Sequence, residues 1–487
     1  MKLALVLVAA TGCAQIFGLD TTTQMTDGSV ATPTATAEVS RISIGATVVT
    51  KPEDLTLGSD TLAFLVPDAA GSGGFTRVAA TQGPIGTWTA QIASGNPAVD
   101  FTLNGQRQIW AFPTRDLKIA DPRLEHANPT AADPTSSLAL DVTLPSSVAA
   151  GESFQIQEIG PWLAGSVGLM VGDTAISLVL PTSGMVSIGG AGLANVIPSD
   201  VVLALRYLDG FQLTGVFQAA SFTETAGANP ISGAMTAVTA DMTFDATIDA
   251  TTQNTRFAAV RPADSTPAYS WTALAAPDST RNVLAGVQLN SAAIDTTMTT
   301  IAASYGNPFA SLGWSALFVY TASESRVATI GAMTLTLDQA TSATTILVPD
   351  ASMPTLDFPA ALPQTISIDN QPLSTDGMTA MIDPTIAATI SVVADTQNTI
   401  LYAATLYELL AASPTTEQLQ YVVSVLTSDP SSLVLPSNVL VAGHTYTLQV
   451  TCYSDGFSGA ATGDLVTSSP PFDSASTFSG VFTVANP

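Results

Sequence analysis

Histidine, cysteine and basic residues are nearly missing from this chain. It carries two histidines, two cysteines and 13 lysines and arginines in 487 residues. Against 39 acids this leaves a formal charge of −26. The clustered cations that a phosphate backbone demands are therefore lacking, and nucleic acid is excluded as a partner. Two cysteines build no zinc cluster, and no His-Glu-x-x-His pair occurs. A Gly-x-Ser-x-Gly elbow, a phosphate-binding P-loop and a Gly-x-Gly-x-x-Gly fingerprint are absent as well. No cofactor and no metal is expected. After the first dozen residues, no uninterrupted apolar run approaches the roughly 20 residues of a bilayer-spanning helix. Charged residues are only 11% of the chain but hydrophobic ones are 46%. An acidic disordered chain, poor in Val, Ile, Leu and Phe, is excluded too.

The few candidates for chemistry are weak. His126 sits beside Glu125 in a Pro-rich connection, and His444 lies in an expected turn, so both read as loop residues. Asp241, Asp245 and Asp249 share one side of an extended strand. Four-residue steps put neighbours roughly 13 Å apart, too far to share one calcium ion. They read as a solvated acidic edge that discourages edge-to-edge pairing. Five tryptophans are spread along the chain. Trp88 and Trp110 fall in strand-like runs, where a core role is the default. An exposed aromatic pair beside a carboxylate cleft would instead mark a sugar platform.

What is present begins with an export signal. In MKLALVLVAATGC, Lys2 supplies the positive end, Leu3 to Ala10 the apolar core, and small residues follow. Ala10-Thr11-Gly12-Cys13 resembles the lipobox of bacterial lipoproteins. That resemblance implies that residues 1–12 are removed and that Cys13 carries the lipid, so that the membrane is a partner through the N-terminal acyl chains. Ala14 stands where an inner-membrane retention Asp often stands in that family, which implies an outer-membrane or cell-surface location. Cleavage near Gly12 by an ordinary signal peptidase, giving a free secreted protein, is the competing reading. With Cys13 lipidated, Cys452 has no partner and no intrachain disulfide forms. Residues 13–40, small, polar and without period, read as a flexible tether.

Downstream the pattern is alternation with period two, cut by turn residues. Asp209-Gly210, within VVLALRYLDGFQLTGVF, predicts a type I′ hairpin flanked by Leu208 and Phe211. Asn104-Gly105 repeats that logic. Gly172-Asp173 suits a II′ turn between two β-rich runs. TILYAATLYELLAAS (399–413) fits a helix face or a strand equally. The expected architecture is all-β: several immunoglobulin- and fibronectin-like β-sandwiches in tandem, over 41–132, 133–240, 241–353 and 354–487.

Two segments resemble known modules. LVLPSNVLVAGHTYTLQVTCYSDG (433–456) looks like the end of a fibronectin type III domain, through Leu440, Ala442, Gly443, Tyr446 and Val450. The resemblance implies that Gly443 serves a tight turn and that Tyr446 is a tyrosine corner. Leu448, Val450 and Cys452 share parity with Tyr446, so Cys452 is expected inside as a small hydrophobe. SLALDVTLPSSVAAGESFQIQEIG (137–160) resembles the opening strands of bacterial immunoglobulin-like domains. It also echoes the first module, with Phe154 at the Tyr446 position.

These readings point to a surface-anchored, non-catalytic lipoprotein with a structural or adhesive role and an unknown protein or carbohydrate ligand. Two alternatives stand beside it. One is a secreted carbohydrate-binding or carbohydrate-processing sandwich protein. The other is an accessory subunit of a cell-surface assembly, which should show a large apolar patch on a sandwich face.

Overall fold

Alternating Val, Leu, Ile and Ala against Thr, Ser and Gln makes strands with one buried face, and such strands must stack in pairs of sheets. The computed structural model describes residues 33–487 except 54, 56–60, 69–73, 104, 126–129, 189–192, 261–266, 278–285, 295–299, 331–332, 348–354, 357, 397, 414–415, 467–471 and 486–487. The chain is all-β, with several packed sandwiches and one α-helix among the described residues.

The first sandwich starts earlier than the expected tether allows. The Thr34–Ile44 strand pairs antiparallel with Thr87–Gln91 and Val48–Pro52, and parallel with Asp116–Arg123. Its Ala35, Ala37 and Val39 are buried. Small inward residues alternating with Thr36, Glu38 and Ser40 look like linker in composition, yet they satisfy the strand period. The tether therefore cannot extend to residue 40. The opposing sheet holds Phe75–Ala79, Thr61–Pro67, Ala98–Leu103 and Gln106–Ala111 in that order. Phe64, Trp88, Phe101, Trp110 and Ile119 fill the space between.

In the second sandwich, Ser137–Thr143 lies between Ala175–Pro181 and Ala228–Ala234. The facing sheet is built on Glu152–Ile159 and Val201–Leu208. Asp209 and Gly210 both have positive φ, 52° and 75°, and the Phe211 amide donates to the Leu208 carbonyl at 3.1 Å. The ladder sets Leu208 opposite Gln212 rather than Phe211. Gly172-Asp173 joins no hairpin. The strands on either side, Leu163–Val167 and Ala175–Pro181, belong to opposite sheets, and the turn packs on Val148 through backbone hydrogen bonds.

The third sandwich sets Met242–Ile248 and Thr300–Tyr305 against the sheet of Val287–Ile294, Ala268–Ala276, Ser315–Ile330 and Met333–Ile346. Its range runs past the expected end at 353. Thr355–Leu356 still pairs with Met242–Ile248, and Phe358, Ala360 and Leu362 lie in its core. In the fourth, Pro363–Ile368, Ala388–Ala394 and Val434–Leu435 face Leu401–Ser413, Thr416–Thr427, Thr445–Tyr453 and Phe482–Ala485. The ambiguous 399–413 segment is strand. Ladders with Thr416–Thr427 and Thr445–Tyr453 occupy both of its edges, and only extended backbone can serve both.

The sandwiches are not beads on a string. Thr416–Thr427 pairs parallel with Gln106–Ala111 of the first, and Phe472–Phe478 pairs antiparallel with Met333–Ile346 of the third. One 14-stranded sheet thus passes through the first, fourth and third sandwiches. The second is held by side chains: the Trp162 indole donates to the Ile44 carbonyl, and Gln288 donates to the Phe211 carbonyl at 2.7 Å.

Candidate functional site

Leaving Val434–Leu435, the chain must cross from one sheet to the other, and Gly443 makes the crossing with φ 83°. Its amide donates to the Val484 carbonyl at 2.7 Å. Three residues on, Tyr446 is 1% exposed. Its hydroxyl accepts the Val441 N–H at 3.1 Å, reaching five residues back along the chain. Leu448, Val450 and Cys452 are buried on the same parity. Cys452 lies between Tyr402 and Ala475 in the ladder. Burial is the largest influence on its thiol and pushes the pKa up to about 12. A thiolate is the reactive form, so Cys452 should resist alkylation in native protein and react once the fourth sandwich unfolds; rapid native labelling would contradict this burial. Tyr446→Phe should cost about 1–2 kcal/mol by stranding the Val441 N–H while keeping the ring. Urea unfolding followed by Cys452 labelling checks that cost.

The echoing segment at 144–157 shares this local geometry. Gly151 has φ 85°, and Phe154, three residues on, is buried. The crossings differ in topology, though. The second-sandwich segment joins its first and second strands, Ser137–Thr143 and Glu152–Ile159, whereas the fourth-sandwich segment leads into Thr445–Tyr453 late in that sandwich. Both are sheet-to-sheet crossings, so shared turn chemistry accounts for the likeness.

His444 is exposed, with Nδ1 2.6 Å from Glu408 Oε1 and its ring stacked on Tyr446. Asp241, Asp245 and Asp249 are exposed. Asp249 also serves the fold, because its carboxylate accepts the Thr252 N–H at 3.0 Å and caps the Ala250–Val260 helix. That cap, with its Thr252 bonds, holds the Asp249 pKa below the usual range. All five tryptophans are buried, Trp88 and Trp110 included, so none stands out to stack on a sugar. Cys13, Asn104 and His126 lie outside the described residues. Among those described, no group of acids, His and Cys is arranged to hold a metal ion.

Two acids escaped attention in the sequence. Glu158 is fully buried, and neither carboxylate oxygen has a hydrogen-bond partner. Its ladder partners, Leu163 and Val202, belong to the apolar core of the second sandwich. Burial raises its pKa to about 9, with the charges of Glu224 and Asp200 adding to the effect. Glu224, also buried, is satisfied by the hydroxyls of Ser136 and Thr182 and by the Val196 amide. A signal for Glu158 existed: it continues the inward parity of Phe154 and Ile156. With no exposed surface, it is not placed to meet a substrate.

A cleft of about 420 Å³ lies at the seam of the first and fourth sandwiches. Leu65, Phe75, Ile109 and Phe112 form one wall, and Val434 and Pro436 form the other. Asp429 stands at its rim, where its carboxylate accepts the Ser431 N–H at 2.9 Å. The volume suits a small apolar group, and junctions between domains are common places for such sites.

No family model matches the chain, and no curated protein matches it. Among solved structures, the chain is similar at 8% identity and a TM-score of 0.14 to an Escherichia coli alpha-2-macroglobulin activated by porcine elastase. That alignment covers 93% of this chain but only 44% of the macroglobulin, and at that score it carries no argument.

Proposed function

We propose that this protein is a non-catalytic, lipid-anchored protein of a bacterial outer membrane or cell surface, serving as a structural or adhesive module. The observation that carries the reading is the union of the first, third and fourth sandwiches by a single sheet. Backbone ladders between sandwiches make a stiff body, the property a display or adhesion scaffold needs. The lipobox-like Ala10-Thr11-Gly12-Cys13 supplies the anchor, and the first described strand begins at Thr34. The seam cleft supports a binding role, with an apolar group of a protein or glycan as its ligand.

Mass spectrometry of the mature N-terminus should show a diacylated or triacylated Cys13. An unmodified terminus beginning at Ala14 or later would sink the anchoring part of this proposal. A second reading, the accessory subunit of a surface assembly, is supported by exposed apolar side chains of the second sandwich. Met170, Val171, Val179, Val186 and Ile188 are all exposed there. The carbohydrate reading loses its tryptophan platform to the core.

A further inference from the structure

The second sandwich ends in a strand edge with little to guard it. Ala175–Pro181 pairs with Ser137–Thr143 on one side, and among the described residues no strand pairs with the other. Unpaired edges present a row of N–H and C=O groups that template pairing with another chain, and proteins usually guard them with charge or proline. Several other outer strands are guarded by charge or proline. Val48–Pro52 carries Lys51, Phe75–Ala79 carries Arg77, and Ala228–Ala234 carries Pro230 in its interior. Val287–Ile294 is covered by the second sandwich through Gln288 and the Gly210 and Phe211 carbonyls. Thr300–Tyr305, TIAASY, has neither charge nor proline, but its Ser304 carbonyl accepts from the Asn290 side-chain amide. Ala175–Pro181 reads AISLVLP, without charge and with proline only at its last position.

We infer that this edge is a homotypic docking site, on which Ala175–Pro181 of a second copy pairs antiparallel about a two-fold axis. This goes beyond the anchoring proposal and does not depend on it. Two observations select the occupant. Within a chain of net charge −26, Ala175–Pro181 itself carries no charge, and the acid beside it, Asp141 opposite Ser177, lies one strand in from the edge, so repulsion between copies is weak along this edge. A two-fold interface must also be self-complementary. Antiparallel AISLVLP against itself brings small and β-branched side chains together and opposes no like charges. Val179, 61% exposed, would be covered. The chain already joins its own sandwiches by antiparallel edge pairing, at Phe472–Phe478 with Met333–Ile346.

Sedimentation equilibrium on the full chain carrying Cys13→Ser, so that no acyl chain takes part, tests the inference. A reversible dimer is expected at tens of micromolar, with amide exchange in Ala175–Pro181 slowing as the protein is concentrated. Val179→Lys should weaken the dimer by at least about tenfold, because it sets two like charges diagonally across the axis, each opposite Ser177 of the other copy. Ser177→Lys, on the same exposed face, should act alike, and Val441→Lys on the fourth sandwich should leave the dimer intact. Circular dichroism checks that each variant is folded. A chain that stays monomeric throughout overturns the inference. So does a folded Val179→Lys or Ser177→Lys that dimerises like its parent, or a dimer whose Ala175–Pro181 amides gain no protection.

Discussion

Moving from about pH 5 to about pH 8 should strip on the order of 4 kcal/mol from the stability of the second sandwich, nearly all of it through Glu158. The folded carboxyl holds its proton up to about pH 9, while the unfolded chain releases it near pH 4.5. Between those values the native state binds one more proton than the unfolded state. Stability therefore falls as pH rises, by about 1.4 kcal/mol per pH unit. Glu152, in the same sandwich, works in the other direction and elsewhere on the scale. Its burial is outweighed by hydrogen bonds from Arg206 and the Ala149 amide, which lower its pKa. That contribution is complete above the ordinary carboxylate range and is lost only below it. Amide exchange in the Val201–Leu208 strand, followed against pH, reads the second sandwich separately from the others. Glu158→Leu should flatten the profile and raise protection at pH 8, because an apolar side chain replaces two unpartnered oxygens. A flat profile in the parent, or an unchanged slope in the variant, would refute the buried-acid account.

Arg256→Ala should cost about 2–3 kcal/mol, below the full penalty for stranding one member of a buried ion pair because this pair is only partly buried. Arg256 projects from the Ala250–Val260 helix and binds Asp395 through Nε at 2.5 Å. Its other nitrogens donate to the Phe358 carbonyl at 2.7 Å and the Ala360 carbonyl at 2.6 Å. One guanidinium thus ties the third sandwich to the segment entering the fourth and to the end of Ala388–Ala394. Without it Asp395 keeps the Leu362 amide at 2.8 Å but no counter-charge from this helix. Limited proteolysis should then cut within residues 358–362, and the melting temperature should fall. Arg256→Lys should restore only part of the loss, since a single ammonium cannot span carboxylate and two carbonyls together. Unchanged melting and cleavage would show that the third and fourth sandwiches are held by their shared ladder alone.

Local chemistry was legible in the sequence because turns and strand faces depend on neighbouring residues. The positive φ at Asp209-Gly210 and at Gly443 follows from residue type. The inward set Tyr446, Leu448, Val450 and Cys452 follows from the period of two alone. The same reasoning could have found Glu158, whose parity places it beside Ile156, but its lack of partners depends on what packs opposite.

Composition misled at Thr34–Ile44. Alanine and threonine suit a linker as well as a strand, and the ladders with Asp116–Arg123 and Thr87–Gln91 decided the matter. The 399–413 segment was settled in the same way, by two strands drawn from later in the chain.

By itself, then, the sequence determined an all-β chain of several sandwiches, the places where it turns and the face each strand buries. Tertiary structure decided which edges join: first to fourth, fourth to third, with Ala175–Pro181 left open. Edge pairing is made by backbone N–H and C=O groups, which every residue but proline carries alike. Side-chain order can forbid an edge with charge or proline, but it does not name the strand that an open edge will meet.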